Sequence, residues 1–212
     1  MAIHEYTILG LNRTQFGRYL GAVAGLAGSL GGSIMVLSLG FFSWLGLSES
    51  KTTYVTIPVL TPLFYYIFHL VFDKYVWKTK IGRKIFGMPD LSGKWYCNGK
   101  KINGEELRWR GDVTISQCWE KISIVLRTQN STSESISASL MRECDTGCGY
   151  RLMYTYRNQP NMQAVQVGMA AHTGYCELIF NESLTWADGY YFNNMGRISH
   201  GEMSFMRDKE GA

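Results

Sequence analysis

Two long stretches of this 212-residue chain contain no charged side chain. Residues 19–48 lack Asp, Glu, Lys and Arg, and so do residues 52–72. A bilayer core takes about 20 mostly apolar residues in a helix, each rising about 1.5 Å. Both runs reach that length, and the turn Ser48-Glu49-Ser50-Lys51 between them is too short for a domain. The sequence therefore predicts a transmembrane helical hairpin followed by a remainder of different composition. The absence of acidic or basic groups inside the runs argues against a transporter or pump, whose buried charges mark the transport path. His69 falls near the end of the second run and reads as an interfacial polar residue.

Other absences narrow the function. There is no Walker-type phosphate loop, no nucleophile elbow and no metal-binding helix motif. The acidic residues are scattered, and no nucleophile can be assigned beside His172. No catalytic residue is expected, and a binding module is favoured over an enzyme. Cys97, Cys118, Cys144, Cys148 and Cys176 all fall in the segment assigned to the cytoplasm, where free thiols are the default. Cys144 and Cys148, joined by His172 and His200, make a weak zinc candidate because no second Cys pair has finger-like spacing. Neither metal nor cofactor is expected.

The net charge of +4 is unevenly placed. Lys74, Lys78, Lys80, Arg83 and Lys84 cluster after the second run, and Arg13 and Arg18 precede the first. By the positive-inside rule, both termini of a multi-pass membrane protein lie in the cytoplasm and the loop between the runs outside. The cluster then serves topology and anionic lipid rather than a DNA or RNA polymer. The expected organisation is a cytoplasmic N-terminal segment (1–18), transmembrane helices over 19–48 and 52–73, a basic linker (74–90) and a β-domain (91–212). In the first run Gly21 and Gly25 form one small-xxx-small pair and Gly28 and Gly32 another, a face over which helices can approach closely. That face suits packing within the hairpin or assembly with other copies.

From Gly93 onward the pattern changes to alternation, the strand signature. Ile122, Ile124 and Leu126 alternate with Lys121, Ser123, Val125 and Arg127, and Ile136, Ala138 and Leu140 with Ser135, Ser137, Ser139 and Met141. Tyr150, Leu152, Tyr154 and Tyr156 alternate with Arg151, Met153, Thr155 and Arg157. Turn-prone stretches such as Asn103-Gly104, Asn130-Ser131, Asn158-Gln159-Pro160-Asn161, Asp188-Gly189 and Asn193-Asn194 separate them. About eight strands are expected, near 93–99, 107–117, 119–129, 132–142, 149–158, 172–181, 184–193 and 196–206, closing into an antiparallel up-and-down barrel. A two-sheet sandwich is the alternative. Aromatic rings interleaved with Arg and Ser suit a nucleotide, whose bases stack and whose phosphates take hydrogen bonds. The same residues also suit a barrel core and a solvated face.

The two charge-free runs ahead of these strands carry a resemblance. Asp90-Leu91-Ser92-Gly93-Lys94-Trp95, Trp119-Glu120-Lys121-Ile122, the serine-rich stretch 131–139, Tyr154-Thr155-Tyr156, His172-Thr173-Gly174, Gly189-Tyr190-Tyr191-Phe192 and Gly196-Arg197-Ile198 follow in order. In this layout the chain resembles the CBASS (CD-NTase-associated) anti-phage effectors that join two transmembrane helices to a lipocalin-like barrel. The resemblance implies that a cyclic di- or oligonucleotide, made by a partner CD-NTase, binds the cytoplasmic barrel. Binding would drive oligomerisation of the hairpins through Gly21, Gly25, Gly28 and Gly32, disrupt the bacterial inner membrane that holds them and cause abortive infection. Trp95, Trp109, Arg127, Ser135, Tyr154, Tyr156, His172 and Arg197 are the candidate ligand residues, with Arg127 and Arg197 on phosphates. A tethered barrel for a lipid or apolar ligand, and a membrane-anchored protein-interaction module, are the alternative functions.

Overall fold

The structure, a computed structural model, describes residues 4–10, 13–46, 53–102, 107–143, 149–194 and 198–208. The chain divides into two compact units, residues 11–77 and a second made of 1–10 with 78–212.

The first unit contains α1 (Arg13–Trp44) and α2 (Thr53–Lys74), which pack on each other. They meet at Gly31, where a Cβ would make ordinary van der Waals contact with the Phe64 ring at 3.5 Å. Ala24, Gly28 and Gly32 are buried at four-residue spacing, while a Cβ on Gly21 or Gly25 would meet nothing within 4 Å. The opposite side of α1 exposes large apolar groups every three or four residues, Leu26, Leu30, Ile34, Leu37, Phe41 and Trp44 among them.

One expectation is overturned here. Among the described residues no helix is long and apolar enough to cross a membrane. The transmembrane hairpin and the multi-pass inner-membrane placement therefore do not stand. The physical reason is that an uncharged run need not be an apolar one. Absence of charge alone does not establish a span: α1 interleaves Gly21, Gly25, Gly28, Ser29, Gly31, Gly32 and Ser33 with its apolar side chains.

The second unit is a closed barrel. Its elements are β1 (His4–Leu9), α3 (Lys80–Phe86), β2 (Gly93–Lys101), β3 (Leu107–Gln117), β4 (Lys121–Thr128), β5 (Ser131–Glu143), β6 (Gly149–Pro160), α4 (Met162–Gln166), β7 (His172–Asn181), β8 (Trp186–Asn194) and β9 (Ser199–Arg207). The strand order is β1-β4-β3-β2-β9-β8-β7-β6-β5, closed by β1 against β5. From β2 to β9 each strand pairs antiparallel with the next, and β9 returns to β2.

The expected eight-stranded, wholly antiparallel barrel is corrected by β1, which adds a ninth described strand and a parallel seam. β4 and β5 pair only from Val125↔Glu134 to Arg127↔Thr132 and then part. β1 fills the gap, antiparallel to β4 at His4↔Ile122 and parallel to β5 from Tyr6↔Ala138 to Leu9↔Met141. The split leaves the Ile124 N–H without a ladder partner. It donates instead to Ser135 Oγ (3.0 Å), which also bonds His4 Nε2 (2.7 Å). A bulge between Ser135 and Ser137 accompanies the change of partner.

One end of the barrel is packed shut. Trp95 meets Phe180 edge to face at 5.2 Å and donates Nε1–H to the Leu91 carbonyl (3.0 Å). The Arg207 guanidinium lies 5.1 Å from the Trp95 ring centre. A short insertion precedes β7: Asn161, expected as a turn residue, caps α4 by accepting from Ala164 N–H (2.8 Å).

Candidate functional site

The other end of the barrel is hollow. A cavity of about 430 Å³ opens there, within the range of about 300–1,000 Å³ typical of small-molecule sites. It is reached from the β2–β3, β4–β5 and β6–β7 connections, and its wall comes from all the strands except β1.

Three cross-strand pairs shape that wall, each an aromatic ring over a glycine: Trp109 over Gly99, Tyr156 over Gly174 and Tyr191 over Gly201. A Cβ on Gly99 would sit 2.0 Å from the Trp109 indole, one on Gly174 2.5 Å from the Tyr156 ring, and one on Gly201 2.8 Å from Tyr191. Glycine here serves close approach rather than turning, letting each ring fold over its neighbour strand.

Polar contacts fix the rings. Trp109 Nε1–H donates to Tyr191 Oη (3.3 Å), with the two rings at 5.7 Å and 73°. Tyr156 Oη–H donates to Asn193 Oδ1 (2.5 Å), and Asn193 Nδ2 donates to Ser199 Oγ (2.7 Å). Asn158 Nδ2 donates to both Ser131 Oγ (2.9 Å) and Ser133 Oγ (2.7 Å). His172 Nδ1 bonds the Ala170 carbonyl oxygen (3.1 Å). Deeper, burial pushes the Tyr154 hydroxyl well above its usual pKa and lifts the Cys176 thiol to about 12. Both stay protonated at neutral pH. Cys97, also buried, is pushed up in the same way, so these two thiols of the interior are inert packing groups.

Charge is distributed with one sign. Lys101 faces the cavity from β2, Arg108 and Arg110 touch its rim from β3 with their side chains on the outer face either side of the inward Trp109, and no Asp or Glu lines it among the described residues. Aromatic faces, amide and hydroxyl groups and a basic rim together fit an anionic ligand with planar parts.

Of the eight candidate ligand residues, Trp109, Tyr154, Tyr156 and His172 line this cavity. Trp95 does not: it belongs to the packed base. Arg127 is exposed on the outer face, because Leu126 and Thr128 flank it on the lining face and β-strand side chains alternate. Ser135 points inward, but its hydroxyl is taken by the β1 seam. Arg197 lies outside the described residues, as do Cys144 and Cys148. Sequence reasoning missed Lys101, Asn158, Asn193 and Ser199. The available signal was Asn158 and Asn193 in register with inward tyrosines.

The family model of the Cap15 cyclic dinucleotide receptor domain matches residues 86–207, from the end of α3 through β9. The chain is 32% identical to CD-NTase-associated protein 15 of Yersinia aleksiciae over 98% of both chains. It is 24% identical to CD-NTase-associated protein 15 of Staphylococcus schleiferi over 62% of this chain and 63% of that protein. With the barrel coinciding with the matched segment, the chain belongs to the Cap15 family of CD-NTase-associated effectors and carries its cyclic dinucleotide receptor domain.

Proposed function

We propose that the barrel binds a cyclic dinucleotide in its cavity and that binding switches the helical unit to a self-associated state that damages a lipid bilayer and aborts infection. The observation that carries the binding step is the cavity itself, with stacking rings on its wall, Lys101 facing it and no lining carboxylate among the described residues. Lys101, Asn158, His172 and the Ser131 and Ser133 hydroxyls in the lining weigh against a lipid or wholly apolar ligand. The chain acts by binding, without catalysis or a cofactor, and its functional partner is the CD-NTase that makes the ligand.

Transmission runs through the packed base. β1 leads into α1 from this end, and the segment after α3 enters β2 here. Gln117 holds both: its Oε1 accepts from Leu91 N–H (2.8 Å), while Nε2 donates to Tyr6 Oη (3.1 Å) and to the Pro89 carbonyl (3.2 Å). For ligand to drive assembly it must bind the assembled state more tightly than the resting one, since equal affinity shifts nothing.

Calorimetric titration of the full chain with cyclic and linear dinucleotides tests the reading. Cyclic ligands bind, linear ones do not, and Trp109→Ala or Tyr156→Ala weakens binding about tenfold or more, given about 1–3 kcal/mol for each stacked base. Failure to bind any cyclic dinucleotide sinks the proposal.

A further inference from the structure

Asn158 is 94% buried in the cavity wall, at 6% relative exposure, and its Oδ1 has no hydrogen-bond partner. Among the described residues it is the single buried side-chain polar atom in that condition. The Nδ2 protons of Asn158 are both used, one on Ser131 Oγ and one on Ser133 Oγ. Ser131 is held in turn by Thr128, whose hydroxyl donates to the Ser131 carbonyl (3.1 Å) and accepts from the Ser131 N–H (3.1 Å). What is left over is an acceptor. Across the cavity the other asparagine differs: Asn193 Oδ1 already takes the Tyr156 hydroxyl.

The geometry points to Asn158 as a specificity-determining residue that accepts a hydrogen bond from a nucleobase N–H of the ligand. This rests on the cyclic-dinucleotide reading of the same cavity. A phosphodiester has no proton to give at neutral pH, so phosphate cannot fill this role. Oδ1 is shielded from solvent as it stands, and a turn of the amide about its soft terminal torsion presents it to the cavity. An unpartnered buried acceptor carries its desolvation cost in the resting protein. The ligand donor that satisfies it therefore gains more than an exposed pair would. Because the Asn193 carbonyl is occupied, the two bases of one ligand meet unequal walls.

The test titrates full-length wild type and Asn158→Ala with cyclic dinucleotides bearing adenine, guanine, cytosine or uracil, and with a 2′-deoxy version of the tightest binder. Wild type separates the best and worst base sets, and Asn158→Ala weakens the best about tenfold or more while compressing that separation. Ser133→Ala, which removes one acceptor and loosens the amide, compresses it as well and serves if Asn158→Ala does not fold. An unchanged separation in the variants overturns the inference while leaving cyclic-dinucleotide binding intact. So does a 2′-deoxy ligand that loses as much as Asn158→Ala does, since the donor is then a ribose hydroxyl. Wild type binding none of the panel overturns the underlying reading instead.

Discussion

Glu177 stands on the barrel exterior and gathers three donors: Tyr190 (2.8 Å) and Tyr175 (3.0 Å) on Oε2, and Arg151 on Oε1. Partial burial pushes its carboxyl up, but the tyrosine hydrogen bonds and the Arg151 charge outweigh that and hold it below the usual carboxylate range. The tyrosines move the other way, Tyr175 to about 12 through burial and its bond to Glu177. A depressed folded pKa means that the unfolded chain binds the proton first. The stabilisation is full above the unfolded value of about 4.3 and is lost as pH falls from there through the lower folded value. Glu177→Gln should flatten the acid side of a stability–pH curve measured by urea unfolding; an acid limb as steep as wild type refutes the assignment.

Single residues also explain where the reading of the site went astray. Arg127 and Trp109 both looked like ligand groups, and each sits in an alternating strand. Alternation says that neighbours face opposite ways, but which set faces inward depends on register, and a slip of one reverses it. Trp95 failed for a different reason. It does face inward, yet the barrel is filled at one end and hollow at the other, and nothing local to Trp95 distinguishes the two.

At the scale of elements, β1 is the piece with most consequence. Its six residues alternate, with Tyr6 buried between exposed Glu5 and Thr7. Next to the long run that follows it, this short signal was overlooked. Its Oη joins Gln117, the Cys118 carbonyl (3.2 Å) and Met88 Sδ (3.7 Å), tying the seam strand to the chain that enters β2. Tyr6→Phe removes this hydroxyl from a buried network and should cost about 1–2 kcal/mol, read as a lower melting temperature. Ligand affinity should stay near wild type, because Tyr6 is not part of the cavity wall, while ligand-driven assembly should change. Assembly identical to wild type would show that the base network does not transmit the signal.

For the whole molecule, the first unit contributes a two-sided helix. The small-residue side of α1 is buried around Ala24, Gly28 and Gly32, and the face it leaves open to other copies is the exposed stripe through Leu26, Leu30 and Ile34. A contiguous exposed apolar face of this kind marks an interaction surface. Leu30→Glu with Ile34→Glu is expected to leave cyclic-dinucleotide affinity unchanged and to abolish ligand-driven self-association by analytical ultracentrifugation. Retained assembly would place the contact elsewhere.

Much of the architecture was legible because it rests on local periodicity. The alternation after Gly93, broken at Asn130-Ser131 and Asp188-Gly189, located β2 to β9 to within a few residues, and the residues that carried the family resemblance lie along those strands. Alternation is set by backbone geometry and needs no partner. The charge-free runs likewise marked where helices form, but charge alone did not measure their apolarity. Tertiary structure decided what depends on distant partners: the parallel seam made by β1, the filled and hollow ends, and the inward set of each strand. It also decided that Asn158, a turn residue by composition, keeps an acceptor to spare. Closure of the barrel brings Ser131 and Ser133 to its two protons, and no stretch of sequence contains that fact.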